Sequence, residues 1–207
     1  MSGTIPGDTI TREALAELPI RRYEGPVLLV EDLDTLRQAM IDIHQEAVVG
    51  FDTETRPAFR KGEHYPPSLA QVATARAVYV FPLRQTACFP GLAELMEQRH
   101  IVKAGVAVAH DLSELAELFP FTPAAVLDLG RVAKRQGITQ SGLRNLAGLV
   151  LGFRIPKGQQ TTNWSAPRLT AAQIQYAATD AWVSRELAVH FAQLGWLNGN
   201  PGFPLPP

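Results

Sequence analysis

The sequence predicts an α/β layered domain built on a mixed β-sheet, and three features lead there. Residues 68–74 and 77–83 are strand-like runs separated by only a few residues, the spacing of an antiparallel hairpin. Residues 47–51, AVVGF, form a continuous apolar run of the kind covered on both faces of a sheet. Beyond the hairpin, strand-like and helix-like segments alternate, which places helices in layers over a sheet.

The elements follow in order. Residues 1–26 contain Pro6, Pro19 and Pro26 and read as an arm wrapping the domain, with one short helix around 12–18. Residues 27–30 are a brief strand. Leu33, Leu36, Met40 and Ile43 recur at three- and four-residue steps, so a helix over 33–45 is expected to bury that stripe. A short helix after Pro90, near 92–98, leads into a strand at 101–104, and Asp111 opens a further helix carrying Leu112, Leu115 and Leu118. Ser141 is placed to N-cap a helix over 142–151 that Gly152 closes. Residues 153–168 read as a polar, basic loop. Thr170 and Gln173 make a T-x-x-Q capping box for a long helix over 171–194, stopped at Gly195. The expected organisation is one domain over 27–195, preceded by the arm and followed by an extended tail at 196–207.

Composition narrows the class. Hydrophobic content of 46% and charged content of 19% are those of an ordinary folded domain. No apolar run approaches the ~20 residues that span a bilayer, and the N-terminus lacks the pattern of a signal peptide, so no membrane partner is expected. Cys88 is the only cysteine, which excludes an internal disulfide and a cysteine-built zinc knuckle. A reducing, cytoplasmic setting is the inference. The formal net charge is −1, but its distribution is uneven. No Asp or Glu occurs between residues 129 and 179, a stretch that holds Arg131, Lys134, Arg135, Arg144, Arg154, Lys157 and Arg168. Such a stretch can face a phosphate backbone, or simply solvate helix faces.

Three short segments carry chemistry: FDTET at 51–55, AHDLSEL at 109–115 and YAATD at 176–180. Asp52 and Glu54 stand two apart at the end of a strand, so both side chains project from one face, with Thr53 and Thr55 opposite. Asp111 lies at a helix start, where the helix dipole alone would also favour an acid. Tyr176 and Asp180 are i and i+4 on one helix face, and Asp180 sits among Ala177, Ala178, Ala181, Trp182 and Val183. A carboxylate in that setting needs a counter-charge. If the four acids converge, each pair about 5 Å apart repels by roughly 3 kcal/mol at an effective dielectric near 20. Hard divalent cations with oxygen ligands, magnesium or manganese, relieve such repulsion, and four carboxylates suffice for two of them.

These segments resemble the DEDD superfamily of 3′–5′ exonucleases, in the branch where a tyrosine serves the water, and are similar to ribonuclease D and to the exonuclease domain of the Werner syndrome helicase. The resemblance runs from about Val27 to Leu194 and is tightest over NWSAPRLTAAQIQYAATDAWVSREL, residues 163–187. GFDTET, PPSLAQVATARAVYVFPL and KAGVAVAHDLSEL match in order and spacing. It implies a ribonuclease H-like fold, with a mixed central sheet flanked by helices, and two divalent ions, Mg2+ or Mn2+. Asp52 would bridge both, Glu54 and Asp180 would complete the shell of the first ion, Asp111 would hold the second ion, partly through water, and Tyr176 would align the attacking water. The sister branch has a histidine five residues before the last aspartate, where this chain has Gln175. The resemblance also implies that the backbone around Thr53 and Glu54 meets the terminal nucleotide and that Lys157, Trp164 and Arg168 line or buttress the substrate path, with packing the favoured role for Trp164. Several relatives carry asparagine where this chain has Ala107, which puts one polar substrate contact in doubt. The expected activity is removal of nucleoside 5′-monophosphates from the 3′ end of RNA or DNA by a stand-alone enzyme, the alternative being a catalytically silent nucleic-acid- or protein-binding module of the same fold.

Overall fold

The computed structural model describes residues 7–198. Most of the tail expected at 196–207, and the first residues of the arm, lie outside the described residues. Within them, β1 (Val27–Leu29), β2 (Val48–Thr55), β3 (Pro67–Ala73), β4 (Val78–Pro82), β5 (Val102–Gly105) and β6 (Val126–Asp128) form one sheet in the order β1-β4-β3-β2-β5-β6. β3 runs antiparallel to both β2 and β4, and the remaining pairs are parallel. The sheet is therefore mixed.

Side-chain alternation along β2 sorts the two layers. Val49 and Phe51 pack with Ala70 and Val72 into one core, covered by Ala39 and Ile43 of α2 (Leu33–Ile43), Leu92 and Leu95 of α3 (Phe89–Glu97), and Val108, Leu112 and Leu115 of α4 (Val108–Ala116). The opposite face is covered by α7 (Ala171–Gln193). Its Ala177, Ala178 and Ala181 lie on Leu69, Ala73, Val78 and Val80, and farther along Val183, Leu187 and Phe191 pack with Val132 of α5 (Leu129–Arg135). The Thr170–Gln173 capping box starts α7 with both reciprocal bonds made, and Gly195 follows its end in a left-handed conformation at φ +73°.

Small residues let α7 sit close to the sheet. A Cβ placed on Gly50 would lie 1.9 Å from the Ala181 carbonyl oxygen and 2.7 Å from the Arg185 nitrogen. The described part of the arm is tied to this layer. It contains α1 (Arg12–Glu17), the Ile20–Arg154 bridge, and a bond from Gln175 Nε2 to the Tyr23 carbonyl at 2.5 Å. No helix among the described residues is long and apolar enough to cross a membrane.

Three expectations need correction. The stripe on α2 is not wholly buried, because Leu33 at the helix start is 54% exposed and the helix ends at Ile43. Ser141 is not the N-cap of the next helix. Gly142 is, without a side-chain bond, and α6 (Leu143–Leu146) runs on into a π-helical turn over Ala147–Leu151 before Gly152 ends it at φ +71°. Finally, β6 and α5 fill a segment in which the sequence gives no periodic signal. β6 has one fully covered apolar residue, Leu127, and its last residue, Asp128, doubles as the N-cap of α5 by accepting from the Arg131 N–H at 3.1 Å.

The close approach of α7 makes Gly50→Ala a sharp test of this layering. The added methyl must move α7 or β2, at a cost of about 3 kcal/mol. A fall in Tm of roughly 6–12 °C is expected by calorimetry for a domain of this size.

Candidate active site at the end of β2

β2 outruns one of its neighbours. It pairs with β5 only over Val48–Gly50, while its ladder with β3 continues to Thr55. Beyond Gly50 the β5-side edge of β2 is therefore open. Asp52 and Glu54 extend the alternation of Val48 and Gly50 and face α7, and Thr53 faces the other way. After Gly105 ends β5, Ala107 takes a left-handed conformation at φ +58° and starts α4, whose first turn presents Asp111 to that edge. The Thr53 hydroxyl donates to Asp111 Oδ1 at 2.7 Å. Alanine tolerates a left-handed backbone less well than glycine or asparagine does, so the turn at Ala107 is held by its surroundings.

Asp180 reaches the cluster from α7. One carboxylate oxygen each from Asp52, Glu54 and Asp180 lies within 4.8 Å of the others. Asp111 stands outside that set, held by Thr53, so the structure brings three acids into close contact and places the fourth against them from the opposite layer.

The electrostatics show strain. Burial raises Asp52 well above the usual carboxylate range, and Glu54, Asp180 and Asp111 add to it in that order. Burial and then the charges of Asp180 and Asp111 push Glu54 up to about 9. Asp180 is raised to about 7 by burial, against the opposing pull of the Tyr176 hydrogen bond and the Arg144 guanidinium. Asp111 is raised by burial and partly relieved by Thr53. Burial, followed by the charges of Asp180 and Glu54, holds the Tyr176 phenol far above its ordinary value, so it stays a neutral donor. An all-oxygen donor set, partly desolvated and short of positive charge, is what a hard divalent cation requires. The residues present fit such ions. Asp52, Glu54 and Asp180 would hold one, with Asp111 completing a second position from α4.

The cluster opens into a cleft of about 520 Å³ whose walls also include Tyr176, Arg144, Lys157, Gln160 and Ser184. An adjoining groove of about 370 Å³ shares Thr53, Glu54 and Gln160 and adds Asp111, His110 and Arg56. Thr53 thus lines both and Lys157 the first. Trp164 is 1% exposed, with its ring 6.1 Å from that of Tyr176. It buttresses the tyrosine, the packing role that the sequence left open for it, and does not line the cleft with the acids. Arg168 is not brought to the acids either; it lines a separate groove with Arg84 and Glu31. Of the acid-free stretch, Arg144 and Lys157 reach the cleft, Arg154 binds the Leu18 carbonyl at 3.0 Å, and Arg131 and Lys134 are exposed on α5. Arg144 and Gln160 belong to no motif, Ser184 lies in the 163–187 segment with no role implied for it there, and the one sequence signal for Arg144 is the local absence of acids.

A mixed sheet gathers desolvated carboxylates in an open cleft, the setting of a hard-cation site. The chain belongs to the 3′–5′ exonuclease family, whose model matches residues 27–195. It is 32% identical over 154 residues to the mouse bifunctional 3′–5′ exonuclease/ATP-dependent helicase WRN, covering 72% of this chain and 11% of that protein. It is likewise 32% identical over 162 residues to ribonuclease D of Gluconacetobacter diazotrophicus, covering 76% of this chain and 40% of the relative. The chain therefore spans well under half the length of these curated relatives. Among solved structures, the EXO domain of Nibbler from Aedes aegypti superposes with a TM-score of 0.73 at 25% identity, over 84% of this chain and 90% of that one. The fold is ribonuclease H-like.

Raised carboxylate pKa values set a sign for the pH dependence of stability. Asp180 and Glu54 favour the protonated form when folded, so their contribution is fully present below the unfolded values of 3.8 and 4.5 and is lost as pH rises through about 7 and about 9. The metal-free protein should lose Tm, relative to Asp180→Asn, as pH rises from about 4 to about 7, the interval between the unfolded and folded values of Asp180. Millimolar Mg2+ or Mn2+ should restore the parent's Tm most at the alkaline end. Parallel Tm profiles for parent and variant, unaffected by cations, would contradict this account.

Proposed function

We propose that the protein is a metal-dependent 3′–5′ exonuclease that hydrolyses the terminal phosphodiester of RNA or DNA and releases nucleoside 5′-monophosphates. The observation that carries the reading is the gathering of Asp52, Glu54 and Asp180 within 4.8 Å, beside Asp111, in a cleft open enough for a polymer end. Divalent cations, Mg2+ or Mn2+, when bound there supply Lewis acidity for the attacking water and for the departing oxygen.

The chain's own residues supply the rest. Tyr176 cannot act as a base, because its phenol is held protonated beside Asp180. Its hydroxyl is suited to hydrogen-bond the nucleophilic water and fix its line of approach to phosphorus. Trp164 behind the ring limits the orientations available to that hydroxyl. Thr53, at the junction of the two grooves, is placed to meet the 3′-terminal nucleotide, while Lys157 and Arg144 on the cleft wall oppose the negative charge of the backbone.

Incubation with Mn2+ or Mg2+ should shorten an oligonucleotide stepwise from a free 3′ end, with 5′-mononucleotides as products. Chelation or a blocked 3′ end should prevent it. Matched RNA and DNA oligomers, single-stranded and recessed, identify the preferred polymer. Asp52→Ala should abolish the activity and keep the folded spectrum. Persistence of parental activity in that variant excludes this reaction centre. Tyr176→Phe should lower kcat by about 10- to 100-fold, the scale of removing an orienting hydrogen bond, with little change in Mn2+ affinity.

A further inference from the structure

Gln71 is the odd residue of the core. It lies within β3, is 0% exposed, and neither its amide nitrogen nor its amide oxygen has a hydrogen-bond partner. A buried amide without partners is destabilising, and folded proteins keep few of them without cause.

Its position supplies a cause. Gln71 is the register partner of Asp52 across the β2–β3 ladder, so the two side chains stand side by side beneath α7 with Cβ atoms about 5 Å apart. Its same-face neighbours along β3, Leu69 and Ala73, have no polar side-chain atoms, and the cluster they share with Ala177, Ala178 and Ala181 of α7 also holds Trp164, whose indole N–H is a donor and cannot accept from the Gln71 amide nitrogen. α7 also presses on β2 at Gly50, diagonally across the ladder, so the amide cannot turn out to water. What stands beside it with free lone pairs is the Asp52 carboxylate.

We infer that Gln71 is a positioning residue for Asp52: its amide N–H donates to the Asp52 carboxylate when divalent cations draw that group into its ligating orientation. This rests on the metal-centre reading above and deepens it. With cations held by Asp52, Glu54 and Asp180, the Gln71 donor would fix which Asp52 oxygen is left to face them. Outer partners of this kind set the orientation and basicity of a ligand, and their loss typically weakens metal affinity by about 10- to 100-fold.

Gln71→Met keeps length and volume and removes the amide. In the full chain without cations its Tm should equal or exceed the parent's, since a buried unpaired group is gone. Its affinity for Mn2+, titrated calorimetrically or by electron paramagnetic resonance of the free ion, should fall by about 10- to 100-fold. Activity at limiting Mn2+ should fall in parallel and recover as Mn2+ is raised, which a packing defect would not do. If Gln71→Met does not fold, Gln71→Leu carries the same expectations. Parental Mn2+ affinity in the folded variant overturns the role of Gln71. A parent protein that binds no Mn2+ instead overturns the metal reading beneath it.

Discussion

Negative charge held out of water organises this molecule. Asp52, Glu54 and Asp180 crowd one another within a few ångströms, Asp111 adds its field from the opposite layer, and burial opposes ionisation of all of them. Repulsion of roughly 3 kcal/mol per close pair is large against the 5–15 kcal/mol by which domains are stable. The surrounding structure must therefore be rigid enough to hold the acids where they would not settle alone. Divalent cations turn that arrangement from a burden into a function.

The scaffold does this through contacts that have little to do with charge. Gly50 lets α7 lie against β2, so that Asp180 arrives at the height of Asp52 and Glu54. The early end of β5 leaves the β2 edge free, and the left-handed turn at Ala107 directs α4 so that Asp111 meets Thr53 there. Tyr176, one helical turn before Asp180, is backed by the buried Trp164. The elements that carry the catalytic candidates are thus placed by apolar packing and backbone geometry, while Asp111 is also held by Thr53 and Asp180 by Tyr176. The basic side chains follow a looser rule. Arg144 and Lys157 enter the cleft, and other cations of the same stretch brace the arm or face solvent.

Much of this was legible in the sequence. The hairpin, the strand carrying Asp52 and Glu54, and the capped long helix follow from period and punctuation, because local propensity and tertiary burial agree in those segments. The i, i+4 pair of Tyr176 and Asp180 is likewise a property of helix geometry alone. β6 and α5 escaped because a three-residue strand with one covered apolar side chain has no period to detect. Ser141 misled because a good capping residue stands one place before the true cap, and the chain there follows a π-turn that no local signal announces.

The sequence by itself determined the family, the types of group in the site and the elements that carry them, since spacing along a strand or a helix decides which side chains share a face. Only the tertiary structure decided which groups meet. That Asp111 is tied to Thr53 outside the close triad, that Arg168 and Trp164 stand away from the cleft surface while Arg144 enters it, and that Gln71 is sealed beside Asp52 all depend on strand register and on how near α7 can come. Those distances are set by packing between segments far apart in the chain, and short-range pattern contains no measure of them.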